Sequence, residues 1–192
     1  MVADVTALLA ESARVAEHFV APLGQRWTHV QSVARAAEAL SVTVDGADAS
    51  LLVAAAWLHD IGYAPALAAT RFHPLDGARY LRDEGWPERV VNLVAHHSGA
   101  RFEAAERGLE AELSAFPLED SPVMDALLMA DLTTGPDGSK LRYRERIAEI
   151  LSRYPADHPV HRAWLKAADP LEASIERVKH RLKDRLLSEE GL

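Results

Sequence analysis

Five histidines and two aspartates stand in segments that are otherwise apolar or end at helix stops: His29, His59, Asp60, His73, His96, His97 and Asp131. A buried charge is costly unless it is paired or bound to a metal. Imidazole nitrogen and carboxylate oxygen together form a ligand set for a divalent transition metal. The sharpest case is AAAWLHDIGYAP, residues 54–65, where an apolar run closes on His59 and Asp60 before Gly62. Adjacent helical residues point about 100° apart, so both side chains reach a metal near the helix end. The two oxygens of Asp60 allow it to bridge two metals. A carboxylate at a helix C-terminus also faces the negative end of the dipole, which favours a metal over a simple charge pair. Asp131 closes VMDALLMAD in the same manner, and Asp125 on that helix competes with it as a ligand. His73 has a second reading, as a cap for the helix that Pro74 begins.

Helices must position these groups. Ala, Leu, Glu and Arg dominate, and long alternating β-branched runs are absent, so the chain reads all-α almost throughout. A first helix is broken by Pro22 and Gly24. A second runs over 25–40, with Trp27, Val30, Ala34, Ala37 and Leu40 as its core stripe and His29 in its early turns. A third covers 49–61 and is apolar nearly all round, which places it centrally. Pro74 and Pro87 suit the first turns of two further helices ending near Gly85 and Gly99. RFEAAERGLEAEL is a polar helix or excursion. A buried helix follows Pro122 and stops at Gly135–Pro136. Two amphipathic helices close the chain, LRYRERIAEILSRY and DPLEASIERVKHRLKDRLL, separated by PADHPVHRAWLKAA.

The bulk numbers bound the function. A chain of 192 residues, 48% hydrophobic and 26% charged, suits one soluble domain over 1–192. The absence of cysteine removes disulfides, thiolate zinc sites and cysteine nucleophiles together; it fits a reducing, cytoplasmic compartment. The N-terminus has no secretory character, and no apolar run is long enough to expect a membrane span. A net charge of −8 argues against a long nucleic acid as partner. It leaves room for a local basic pocket.

Taken in order, WTHVQSVARAA, AAAWLHDIG and LLMADLTT resemble the H…HD…D hallmark of the HD-domain superfamily of metal-dependent phosphohydrolases. The resemblance covers about residues 25–135, with the helices over about 140–188 beyond it. It implies an HD-domain-like helical bundle with a metal centre in its core. It puts His29, His59, Asp60 and Asp131 on a first metal. In binuclear members further histidines lie between HD and the last Asp; here FHPLDGARYL supplies His73 and VAHHSGARF supplies His96 and His97. These two segments are similar to those of the bacterial HD-type diadenosine polyphosphate hydrolases. Two metals per chain are therefore implied, drawn from iron, manganese, nickel, cobalt or zinc.

Two departures matter. Many members carry a Lys after HD-x-G, and this chain has Tyr63 there. GYAP at 62–65 precedes the paired histidines, whereas the cyclic-dinucleotide phosphodiesterases named for a GYP motif have it after them, so that assignment is rejected.

The implied reaction is hydrolysis, by a metal-activated water, of a phosphate ester or phosphoanhydride in a nucleotide or other small phosphorylated metabolite. Asp60 and His96 are its catalytic candidates beside the metals. Arg101 is the preferred cationic substrate contact, followed by Lys140 and Arg142, with Arg35 and Arg71 behind them; RYRER at 142–146 could also lend an arginine. An alternative keeps the fold and uses a di-iron centre with O2, as in members resembling myo-inositol oxygenase; the extra histidine of the His96–His97 pair argues against it by filling an open position. A third reading is a scaffold with a structural metal. His158, His161, His18 and His180 are read as surface residues. The helices after residue 140 have three open roles: covering the site, forming a homodimer, or neither.

Overall fold

The computed structural model describes residues 2–190. Ten α-helices follow one another: α1 (Val2–Val20), α2 (Gln25–Leu40), α3 (Ala49–Leu58), α4 (His73–Asp83), α5 (Glu88–His96), α6 (Ala100–Arg107), α7 (Glu110–Leu113), α8 (Pro122–Leu132), α9 (Tyr143–Arg153) and α10 (Pro159–Glu190). No strand forms among the described residues; one isolated bridge joins Thr134 and Lys140. The chain is a helical bundle, as the sequence predicts. No described helix is long and apolar enough to cross a membrane.

α3 is the axis. Leu52, Val53, Ala54, Ala55, Ala56 and Leu58 are all buried, because α1, α2, α5 and α8 pack around it. Its alanines let those neighbours approach closely. α2 has the predicted bounds: Gly24, at φ 61°, breaks the preceding turn in a conformation other residues resist, and Val30, Val33, Ala34, Ala37 and Leu40 then bury one face. Ser121 caps α8 by accepting from the Met124 amide at 3.2 Å, with Pro122 in the first turn.

Two boundaries differ from expectation. α3 ends at Leu58 rather than 61, and Ile61–Tyr63 form a separate 3-10 turn. His59 and Asp60 thus sit on the step between two helices. The closing helix starts at Pro159, inside the expected connector PADHPVHRAWLKAA, rather than at Asp169, and runs for 32 residues through Pro170. An interior proline costs about 3 kcal/mol. The buried stripe of Val160, Ala163, Trp164, Ala167, Leu171, Ile175 and Val178 supplies far more apolar burial than one lost hydrogen bond removes, so the helix continues.

Candidate metal centre

The sequence brings histidines to helix ends, and the backbone there decides where they point. His29 Nδ1 donates to the Gly135 carbonyl at 2.9 Å. His59 Nδ1 donates to Ala56 O at 2.7 Å, and His97 Nδ1 to Val94 O at 2.6 Å. A carbonyl can only accept, so each of these rings carries its proton on Nδ1 and turns the Nε2 lone pair forward. All three rings are buried.

The forward nitrogens meet two carboxylates. Asp60 Oδ2 stands 3.4 Å from His59 Nε2 and 3.8 Å from His29 Nε2. Asp131 Oδ1 stands 3.2 Å from His29 Nε2 and 4.0 Å from His59 Nε2. The other oxygen of Asp60, Oδ1, faces His73 Nε2 at 3.4 Å and His97 Nε2 at 3.8 Å. His73 and His97 are 3.1 Å apart through their Nε2 atoms. Asp60 therefore divides the cluster, with one oxygen toward each half.

These residues fit a metal. Ligand atoms about 2.1 Å from an ion lie about 3.0–3.4 Å from one another in tetrahedral or octahedral arrangement, close to several of the separations here. Two groups, His29–His59–Asp131 and His59–Asp60–His97, have ligand atoms close enough to hold an ion. His59 Nε2 is buried without a hydrogen-bond partner, an expensive condition that a cation would relieve.

Electrostatics agree. Burial opposes ionisation of Asp60, yet the His59 ring and the Arg26 guanidinium against it hold its carboxyl well below the usual range. Burial likewise opposes Asp131, whose close contacts with the His29 and His59 rings keep it low. Burial drives His73 well below an ordinary histidine, so it presents a neutral ring. Two anions and neutral imidazoles are the protonation states that metal binding requires.

Two backbone features hold the halves in register. Gly62 passes so close to the start of α4 that a Cβ there would lie 2.0 Å from the His73 carbonyl oxygen and 2.7 Å from the Gly77 amide nitrogen. Tyr63 stacks on His73, with ring centroids 3.9 Å apart. Arg26 lies 3.9 Å over the other face of that sandwich, on the Tyr63 ring, and donates to Asp60 Oδ2 at 2.8 Å.

The remaining expected site residues divide. His96 is next to His97 but turned elsewhere: its Nε2 donates to the Phe116 carbonyl at 2.6 Å, and its buried Nδ1 has no partner. Arg101 lies over the Phe102 ring at 4.7 Å. Both line a different cavity, with Asp125. The structure therefore does not bring His96 or Arg101 to the cluster. Asp125 accepts from Arg177 and Arg181 of α10, so of the two only Asp131 faces the cluster. Lys140 and Arg35 line a further hollow. Arg142 begins α9, its amide bound to Glu145 at 2.9 Å.

A cavity of about 250 Å³ opens beside the cluster. Arg26, Arg71, Arg107, Arg146 and Arg153 line it, together with the stacked pair Tyr154–His158 and Trp164. Arg26 carried a sequence signal that was missed: it precedes His29 by three residues and so shares its helix face. Arg107, Arg153 and the aromatic wall had none, because they arrive from α6, α9 and α10.

A family model for the HD domain matches residues 26–173. The chain belongs to the HD-domain family. Its members bind divalent metals and are generally hydrolytic. The chain is also 41% identical, over 78 residues, to a tRNA (cytidine(56)-2'-O)-methyltransferase of Thermoplasma volcanium. That match covers 41% of this chain and 22% of the methyltransferase. No solved structure matches the chain significantly.

Proposed function

We propose that this HD domain hydrolyses a phosphate ester or phosphoanhydride in a nucleotide or other small phosphorylated metabolite. The observation that carries the reading is a divided histidine–aspartate cluster opening on an arginine-lined cavity. His29, His59, Asp60 and Asp131 would hold one divalent transition metal, and Asp60, His73 and His97 a second. When bound, such metals acidify water and neutralise charge on phosphoryl oxygens.

The chain's own residues supply the rest. Carbonyls behind His29, His59 and His97 fix ring orientation and tautomer. Arg26, held over Tyr63 and against Asp60, places a permanent cation beside the position where many relatives carry a lysine, directly after HD-x-G. It can orient a phosphoryl oxygen and take up charge as that charge grows. Tyr154, His158 and Trp164 offer ring faces against which a flat base can stack. The methyltransferase named above contributes nothing to this reading, since the matched stretch is a minor part of it.

One observation favours a second reading. With His96 bound to Phe116, only His97 of the pair faces the cluster, so the histidine expected to fill an open position does not. A di-iron oxygenase therefore stays in contention.

Elemental analysis of purified wild-type and Asp60→Ala protein, followed by a nucleotide and phosphate-ester screen, tests the proposal. Two metals per chain with phosphate release, both lost in Asp60→Ala, are expected. Oxygen uptake by the iron-loaded chain without phosphate release would overturn it in favour of the oxygenase.

A further inference from the structure

The net charge is −8, yet five arginines line one small cavity. Two are accounted for locally. Arg26 is paired with Asp60, and Arg107 with Glu103 at 2.6 Å. Of the other three, Arg146 and Arg153 share one acid: Glu149 accepts from Arg146 and, at 2.9 Å, from Arg153. Arg146 is 6% exposed, and its buried Nε has no hydrogen-bond partner. A buried guanidinium with an unused donor is costly.

Arg71 adds a second kind of observation. It sits at φ 60°, a conformation that costs a side chain-bearing residue about 1 kcal/mol or more. The turn before it is clamped in place: the Thr70 amide and hydroxyl both donate to Asp76 at 2.9 Å, and the Phe72 amide donates to the Thr70 hydroxyl at 3.2 Å. Among the described residues the non-glycine positive-φ positions are Arg71 and Ser98, and both line this cavity. Strain held by a buried clamp and spent on aiming an arginine is a mark of a binding device.

We propose that Arg71, Arg146 and Arg153 form a second anion subsite, separate from the metal cluster and facing the same cavity. It takes a second phosphate or carboxylate group of the substrate while the phosphate to be cleaved sits at the cluster. The substrate class is a small phosphorylated molecule carrying two separated anionic groups. A cavity of about 250 Å³, at the small end of ligand sites, suits a metabolite rather than a polymer. Arginine is the residue for this task, because its planar fork matches an oxyanion in two places. The substrate assignment rests on the hydrolase reading; the subsite itself does not.

Calorimetric titration of the metal-loaded full chain with inorganic phosphate, and separately with acetate, tests the subsite. Two phosphate ions per chain are expected. Arg146→Gln and Arg71→Ala should each weaken the same one of them about tenfold to a hundredfold, and Asp131→Ala should remove the other. Arg71 is exposed, so its variant gives a reading even if Arg146→Gln does not fold. Acetate competing at the arginine-dependent site would assign it to carboxylates as well as phosphates; its failure to compete would narrow it to phosphate. Phosphate binding that neither arginine variant changes would overturn the subsite. Arginine-dependent binding in a chain that hydrolyses no ester would leave the subsite standing and sink the proposed reaction.

Discussion

His96 and His97 are neighbours that serve opposite sides of the molecule. His97 anchors its Nδ1 to Val94 and presents Nε2 to Asp60. His96 spends its Nε2 on Phe116 and faces the cavity lined by Arg101 and Asp125. One side gathers histidines around two carboxylates and leaves His59 Nε2 buried without a partner. The other is a docking seam, where Arg177 and Arg181 of α10 close on Asp125. Each side leaves buried nitrogens unpartnered, His59 Nε2 in the cluster and His96 Nδ1 and Arg181 Nε at the seam. The difference is that the seam meets its carboxylate with two guanidiniums, while the cluster turns several imidazole nitrogens and two carboxylates toward one another, an arrangement a cation completes.

The strongest way to break this comparison is Asp60→Ala. Losing the carboxylate that turns one oxygen to each half of the cluster should abolish metal retention and lower activity by more than about a hundredfold; metal analysis and turnover would show it. Next comes the histidine pair itself. His97→Ala should drop metal content from two to one per chain. His96→Ala should leave metal content as it is and lower the melting temperature, by about 1–3 kcal/mol of stability for a buried hydrogen bond and its packing. Equal metal loss in both variants would erase the distinction between the two sides.

The seam is sharpened by pH. Burial opposes the ionised form of Asp125, but the hydrogen bonds from Arg177 and Arg181 bring its carboxyl below the ordinary value. A carboxyl lowered in the folded state contributes stability that is fully present above its unfolded value and lost as pH falls through its folded value. Asp125→Asn should thus cost about 1–3 kcal/mol near neutrality, with the gap to wild type closing in strong acid, as urea titrations at several pH values would show. The smallest effect is expected at the helix crossing the seam. Pro170→Ala restores a donor to α10 but also frees the unfolded chain, so the net gain should fall short of the ~3 kcal/mol that an interior proline costs, measurable as a small rise in melting temperature.

Much of this was legible. The core stripe of α2, the centrality of α3 and the proline-begun helices follow from spacing and local chemistry alone. The residues His29, His59, Asp60, His73, His97 and Asp131 were named from order and residue type. What could not be read was direction at helix ends. α5 finishes at His96, with His97 extended at ψ 165° and Ser98 and Gly99 both left-handed. Helical periodicity has no meaning across such a step, so nothing in HHSGAR says which histidine faces Asp60 or that Arg101 points away. The first turns of α10 were read as a connector, because nothing in PADHPVHRAWLKAA alone reveals that Val160, Ala163, Trp164 and Ala167 share a buried face. Arg146 was within reach through RYRER, but its company in the cavity comes from parts of the chain far apart in sequence.

Gly62 carries a last implication. Its backbone lies directly on the backbone that begins α4, with Gly77 closing the crossing from the other side. The spacing between the two halves of the cluster is therefore gauged by main-chain thickness rather than by any side chain. Ligands could be exchanged one at a time with local effects, but a single methyl group at position 62 would act as a wedge, widening the gap while leaving each ligand in place. Selection on this chain would then fall as heavily on an inert hydrogen atom as on the residues that do chemistry.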